Sequence, residues 1–187
     1  MAVERAQEII DKAAHEREKL VAFVRAVPTG DWPKTSPGGI WQGRDYIAHL
    51  ASIDPLLTDW FRAVQTGAGA GGVRGRAFSI DEWNEERILA RRERALDELL
   101  DEAAANRVDL NAALAAFTDE QLDSEIHFGG DAKRAPRDIP LYLYLRGWVF
   151  HDRWHMEDAR RAMAGEEEQP FCDEAFARAM QSGQRPA

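Results

Sequence analysis

The chain reads as an all-α protein, an antiparallel four-helix bundle with a short C-terminal helix. Three observations predict this. Apolar residues recur every three or four positions in four long stretches, breaks rich in Gly and Pro separate them, and no run between them alternates like a half-buried strand. At 187 residues, 44% of them hydrophobic and six of them Trp, the chain can bury a single core, and 30% charged residues suffice to solvate its outside.

The first helix spans Val3 to Val27, with Ile9, Ile10, Ala13, Leu20, Val21, Phe23 and Val24 at helical spacing, and ends where Pro28, Gly30 and Pro33 interrupt the pattern. Trp32 is expected to pin the loop that follows to the bundle. The second helix covers about Gln42 to Gln65, through Tyr46, Leu50, Ile53, Leu57 and Val64. Pro55 lies inside it. A proline there has no N–H for the carbonyl of Ala51, so a kink is expected just beyond His49. The segment TGAGAGGVRG then reads as a flexible loop, because it lacks the Lys-Ser/Thr ending and the strand-to-helix setting of a phosphate loop.

A third helix opens at Ser79, whose spacing to Glu82 is that of a capping box, with Phe78 placed to staple onto Trp83. The pattern continues to about Phe117. Unbroken it would be about 55 Å long, so a bend or break is expected near Arg94. Arg87, Arg91, Arg92 and Arg94 alternate there with Glu85, Glu86 and Glu93, as on a solvated face with i to i+4 pairs. Thr118 and Gln121 cap a short turn, and an irregular stretch runs from His127 to Asp138. Asp138 is expected to cap the fourth helix, Pro140 to sit in its first turn, and Gly165 to end it. The bundle is thus expected over residues 1–165, and residues 166–187 form a tail with a short helix at 170–180.

The net charge of −9 opposes a nucleic-acid backbone, so no nucleic-acid partner is expected. One cysteine, Cys172, permits neither an internal disulfide nor a cysteine-based zinc site, and its acidic neighbours Asp173 and Glu174 disfavour a thiolate. The N-terminus MAVERAQEII has no signal-peptide core, and the longest apolar run, LYLYLRGWVF, is short and contains Arg146. A cytoplasmic protein with no membrane span is expected.

The stretch WVFHDRWHMEDARRAM raises the functional question. On the fourth helix Leu141, Tyr144, Trp148, His151, His155, Ala159 and Ala162 follow one another by three or four, so both imidazoles continue an apolar stripe. His49 does the same among Tyr46, Leu50 and Ile53. A pair at i and i+4 can reach one ion, and a third imidazole from a facing helix completes a triangle. The alternative for each is a core histidine satisfied by a carboxylate or carbonyl. A di-iron centre needs two Glu-x-x-His motifs, and only Asp152 with His155 comes near one. His15 and His127 read as solvent-facing, His127 being the one better placed to approach a site.

GIWQGRDYIAHLASID, with Trp41 eight residues before His49, and HDRWH about a hundred residues later resemble the DinB superfamily, which includes mycothiol-dependent maleylpyruvate isomerase N-terminal domains and bacillithiol transferases. WNEER around Asn84 and LNAALAAFTDEQL are similar to its third helix and following turn. The resemblance implies a bundle of that family's connectivity holding a divalent metal, zinc or nickel, on His49, His151 and His155. His151 stands where the isomerase branch has Glu. An open coordination position then implies activation of a low-molecular-weight thiol such as mycothiol or bacillithiol against a small-molecule electrophile, in a homodimer. A metal-dependent hydrolase or self-protection protein, and a bundle that only sequesters metal or ligand, are the other readings. Asp45 and Asp158, by helical spacing, are candidates to orient the imidazoles, and Trp41, Trp148 and Tyr144 are candidates for an aromatic wall.

Overall fold

The computed structural model describes residues 2–67, 79–128 and 136–167. Its helices are α1 (Glu4–Ala26), α2 (Gly43–Gln65), α3 (Ile80–Leu89), α4 (Leu96–Ala115), α5 (Asp119–Asp123), α6 (Leu141–Trp148) and α7 (His151–Ala164), with strands β1 (Glu125–Phe128) and β2 (Arg137–Pro140) before α6. Phe78, the glycine-rich loop from residue 68 onward, Cys172 and the helix expected at 170–180 lie outside the described residues. Among the described residues no helix is long and apolar enough to cross a membrane.

Four long rods make the bundle: α1, α2, α4, and α6 with α7. Both α1 and α2 pack on α4 and α7, which puts α1 diagonally across from α2. Directions follow from the contacts. Asp54 meets Arg107 and the Gln65 side chain reaches the carbonyl of Ala113, so α2 and α4 are parallel. Tyr142 meets Glu8 and Asp152 meets Arg17, so α6/α7 runs parallel to α1. Two rods therefore point each way. A parallel neighbour needs a return path, and α3 supplies it by packing along α2 between them.

The helix predicted from Ser79 to Phe117 is divided at Ala90–Ala95, next to Arg94 as expected. The arginines beside this break do not form a simple solvated face. Arg91 and Arg94 both hold Glu102 of α4, and Arg92 donates to the fully buried Asp45 of α2 at 2.7 Å, tying the turn to two helices. Across Pro55, α2 stays helical. The carbonyl of Ala51 that the proline leaves without its usual donor instead accepts from Asn106 Nδ2 of α4 at 2.9 Å.

Two corrections concern residues 125–150. The stretch from His127 to Asp138 is bounded by a two-stranded antiparallel ladder in which His127 pairs with Asp138, so Asp138 is a strand residue and Pro140 is the cap of α6. His127 Nδ1 lies 2.8 Å from Asp138 Oδ1. The fourth rod is also not one helix. It breaks at Val149–Phe150, where the Phe150 N–H bonds to the carbonyl of Gly147, a tighter three-residue step, and α7 restarts at His151. Thr118 and Gln121 cap α5 reciprocally, and Gly165, at φ +69°, ends α7 in the left-handed conformation.

The core has two apolar halves. One surrounds Ile9, Trp60, Phe61, Leu110, Leu114, Phe117, Leu141 and Trp148. The other surrounds Leu20, Ile47, Leu50, Leu99, Ala103, Met156 and Ala159, and includes Trp32, which packs edge-on to Phe23. Between them each rod contributes one charge: Arg17, Asp54, Arg107 and Asp152. Arg17 grips Asp152 at 2.6 and 3.1 Å, Arg107 grips Asp54 at 2.7 and 3.3 Å, and cross-pairs at 3.5 and 3.7 Å close the ring. Burial pushes the Asp54 carboxyl up despite Arg107, whereas at Asp152 the same burial is more than offset by Arg17 and Arg107, which hold it below the usual range.

Candidate metal centre

His151 opens α7 and His155 lies one turn on, so both rings face α2, where His49 projects toward them. Close approach of the two helices makes this possible. A Cβ at Gly43 would stand 3.0 Å from Met163 Cγ and 3.5 Å from the carbonyl of Ala159, so a glycine in the first turn of α2 lets α7 lie against it.

His151 Nε2 is 3.4 Å from His49 Nε2 and 3.2 Å from His155 Nε2. Two nitrogens on one tetrahedral zinc, each at about 2.0–2.1 Å, stand about 3.3 Å apart. Hydrogen bonding alone accounts poorly for the cluster: one nitrogen has either a proton or a lone pair, and His151 Nε2 faces two like atoms. Burial, and then the charge of His155, push the His49 and His151 imidazoles well below their ordinary value, which keeps them neutral with lone pairs available. Among the described residues this is the one group of three or more His, Cys, Asp or Glu side chains able to hold a metal ion, and its ligand atoms all lie within 4.8 Å of one another.

His49 is buried while His151 and His155 are half-buried, so the group sits near the surface. Trp41 borders it, with ring centroids 5.5 Å from His49 and 6.5 Å from His155, and Tyr46 stacks on His155 at 5.9 Å. Trp148 and Tyr144, the other candidates for an aromatic wall, pack elsewhere: Trp148 against Phe61 and under Arg107, Tyr144 against Trp60.

The family model for the DinB superfamily matches residues 13–159, a span that contains every residue of this group. The chain belongs to the DinB superfamily. No curated protein and no solved structure matches it. In this DinB chain the two residues singled out to orient imidazoles part ways. Asp158 Oδ2 is 3.2 Å from His155 Nδ1. Asp45 does not serve His49; it accepts from Arg92 and from the Gln42 N–H at 2.8 Å, capping α2. His15 lies exposed beside Glu18, and His127 is exposed in its pair with Asp138; neither belongs to the group.

The ring of Arg17, Asp54, Arg107 and Asp152 leaves one mark in the sequence of this DinB chain. Arg107 occupies the apolar stripe of α4 through Leu99, Ala103, Leu110 and Leu114, and a charge on such a stripe needs a buried partner. That signal was legible; the identity of the partners was not.

Proposed function

We propose that the protein is a metal-dependent enzyme in which His49, His151 and His155 hold one divalent ion, zinc or nickel, and which adds a low-molecular-weight thiol such as mycothiol or bacillithiol to a small electrophile, the sulfur forming the new bond as the thiol gives up its proton. The observation that supports the metal is the convergence of three imidazoles with Nε2 separations of 3.2 and 3.4 Å. A divalent ion with an open position lowers the pKa of a coordinated thiol, making it nucleophilic near neutral pH.

The chain's own residues perform the remaining tasks. Asp158 orients His155 through its Nδ1. Trp41 and Tyr46 give the site an apolar flank against which the uncharged part of a cosubstrate packs and water is excluded. Membership of the DinB superfamily is compatible with this reading. We further propose a cytoplasmic homodimer, for which sedimentation equilibrium should return twice the chain mass of 21.1 kDa.

Cobalt substitution tests the activity. Adding thiol to the cobalt protein should produce a sulfur-to-cobalt charge-transfer band, lost in His49→Ala, and consumption of an electrophile should require thiol. Turnover of an electrophile without thiol would replace this reading with a hydrolytic one. Bound cobalt with neither band nor turnover would leave sequestration.

A further inference from the structure

His155 has Asp158 at its Nδ1, but His49 Nδ1 is buried without a hydrogen-bond partner. Across the α2/α3 interface the Asn84 Oδ1 is likewise buried and unpaired. Ile88, one turn after Asn84, is 1% exposed and packs into the core half formed by Ile47 and Leu50, so this face of α3 points at α2. Trp83, beside Asn84, shares a cleft with Ser52, one turn beyond His49. These placements set the amide next to the imidazole, and its interaction with the ring opposes the effect of burial on His49.

We propose that Asn84 is a positioning residue for His49: its side-chain carbonyl accepts the Nδ1–H of the imidazole, which fixes the tautomer whose Nε2 lone pair points at His151 and His155. Two buried orphans side by side, one able to donate and one to accept, are each relieved by this single bond. A ring free in water favours the opposite tautomer, with the proton on Nε2, so without Asn84 the nitrogen facing the other two imidazoles would carry a hydrogen. The site then has unlike supports. A carboxylate lies at the Nδ1 of His155, and a neutral amide sets the orientation of His49 without adding charge.

The inference rests on the metal reading for its functional consequence but not for its test. Long-range 1H–15N correlation spectra of the metal-free protein should show His49 as the Nδ1–H tautomer. Asn84→Leu, which keeps the volume and removes the acceptor, should shift His49 to Nε2–H and weaken zinc binding about 10–100-fold. Asn84→Asp, which keeps an acceptor, should retain the Nδ1–H tautomer. His49 found as Nε2–H in the unsubstituted protein overturns the proposal, as does an Asn84→Leu variant of native circular dichroism in which tautomer and zinc affinity are both unchanged. If zinc binds neither protein while the tautomer switches as described, the metal reading fails and the role of Asn84 stands.

Discussion

The side-chain amide of Asn106 donates to the carbonyl of Ala51 at 2.9 Å, replacing the backbone donor that Pro55 cannot supply. Asn106→Leu should therefore strand a buried acceptor and cost about 1–3 kcal/mol. Pro55→Ala restores an N–H to that carbonyl, so the double variant should recover part of the loss. A denaturant double-mutant cycle measures the coupling, and strict additivity of the two substitutions would contradict it.

Metal content is the direct check on the three histidines. Elemental analysis after dialysis should find about one divalent ion per chain, lost in His49→Ala, His151→Ala and His155→Ala and retained in His15→Ala. Loss of the ion should lower the melting temperature only modestly, because the two apolar halves of the core remain. An equal metal content in all four variants would place the ion elsewhere.

The buried ring of charge should be far more sensitive to single than to paired replacement. Arg107→Leu takes the 2.7 Å partner from Asp54, leaves both carboxylates to Arg17 alone and should cost about 3–5 kcal/mol. Adding Asp54→Leu should win back a sizeable part, since it removes the stranded carboxylate. Equilibrium unfolding of both variants decides this, and a double variant less stable than Arg107→Leu alone would argue against it.

Acid should unfold the protein below the ordinary carboxylate range. Burial pushes Glu16 up, but Arg153 and Lys19 more than offset it; at Glu102, likewise, burial is outweighed by Arg91 and Arg94. Both folded values are depressed, so the unfolded chain binds more protons as pH falls, and their stabilisation, complete above about pH 4.5, is lost through the lowered values. Glu16→Gln should flatten the fall in stability between pH 5 and pH 3, roughly the window these carboxylates span. Parallel pH–stability curves for the two proteins would refute this.

Local pattern alone determined a good deal. Helical periodicity located α1 and α2 to within a few residues, the length argument anticipated the break beside Arg94, the Thr118–Gln121 spacing identified a cap, and inward-facing histidines at i and i+4 singled out His151 and His155. These are properties of a single helix face, and a face is written in spacing. What spacing cannot encode is which faces meet. The diagonal placement of α1 and α2, the parallel run of α2 beside α4, the capture of Asp45 by Arg92 rather than by His49, and the four-way contact of Arg17, Asp54, Arg107 and Asp152 all join residues dozens of positions apart. The fourth rod's break at Val149–Phe150 belongs with them. Gly147, a weak helix former, supplies the carbonyl of the tighter step, but a glycine in a helical pattern does not by itself say whether the helix runs on or breaks; the folded chain decides this, and the turn sets the start of α7 at His151.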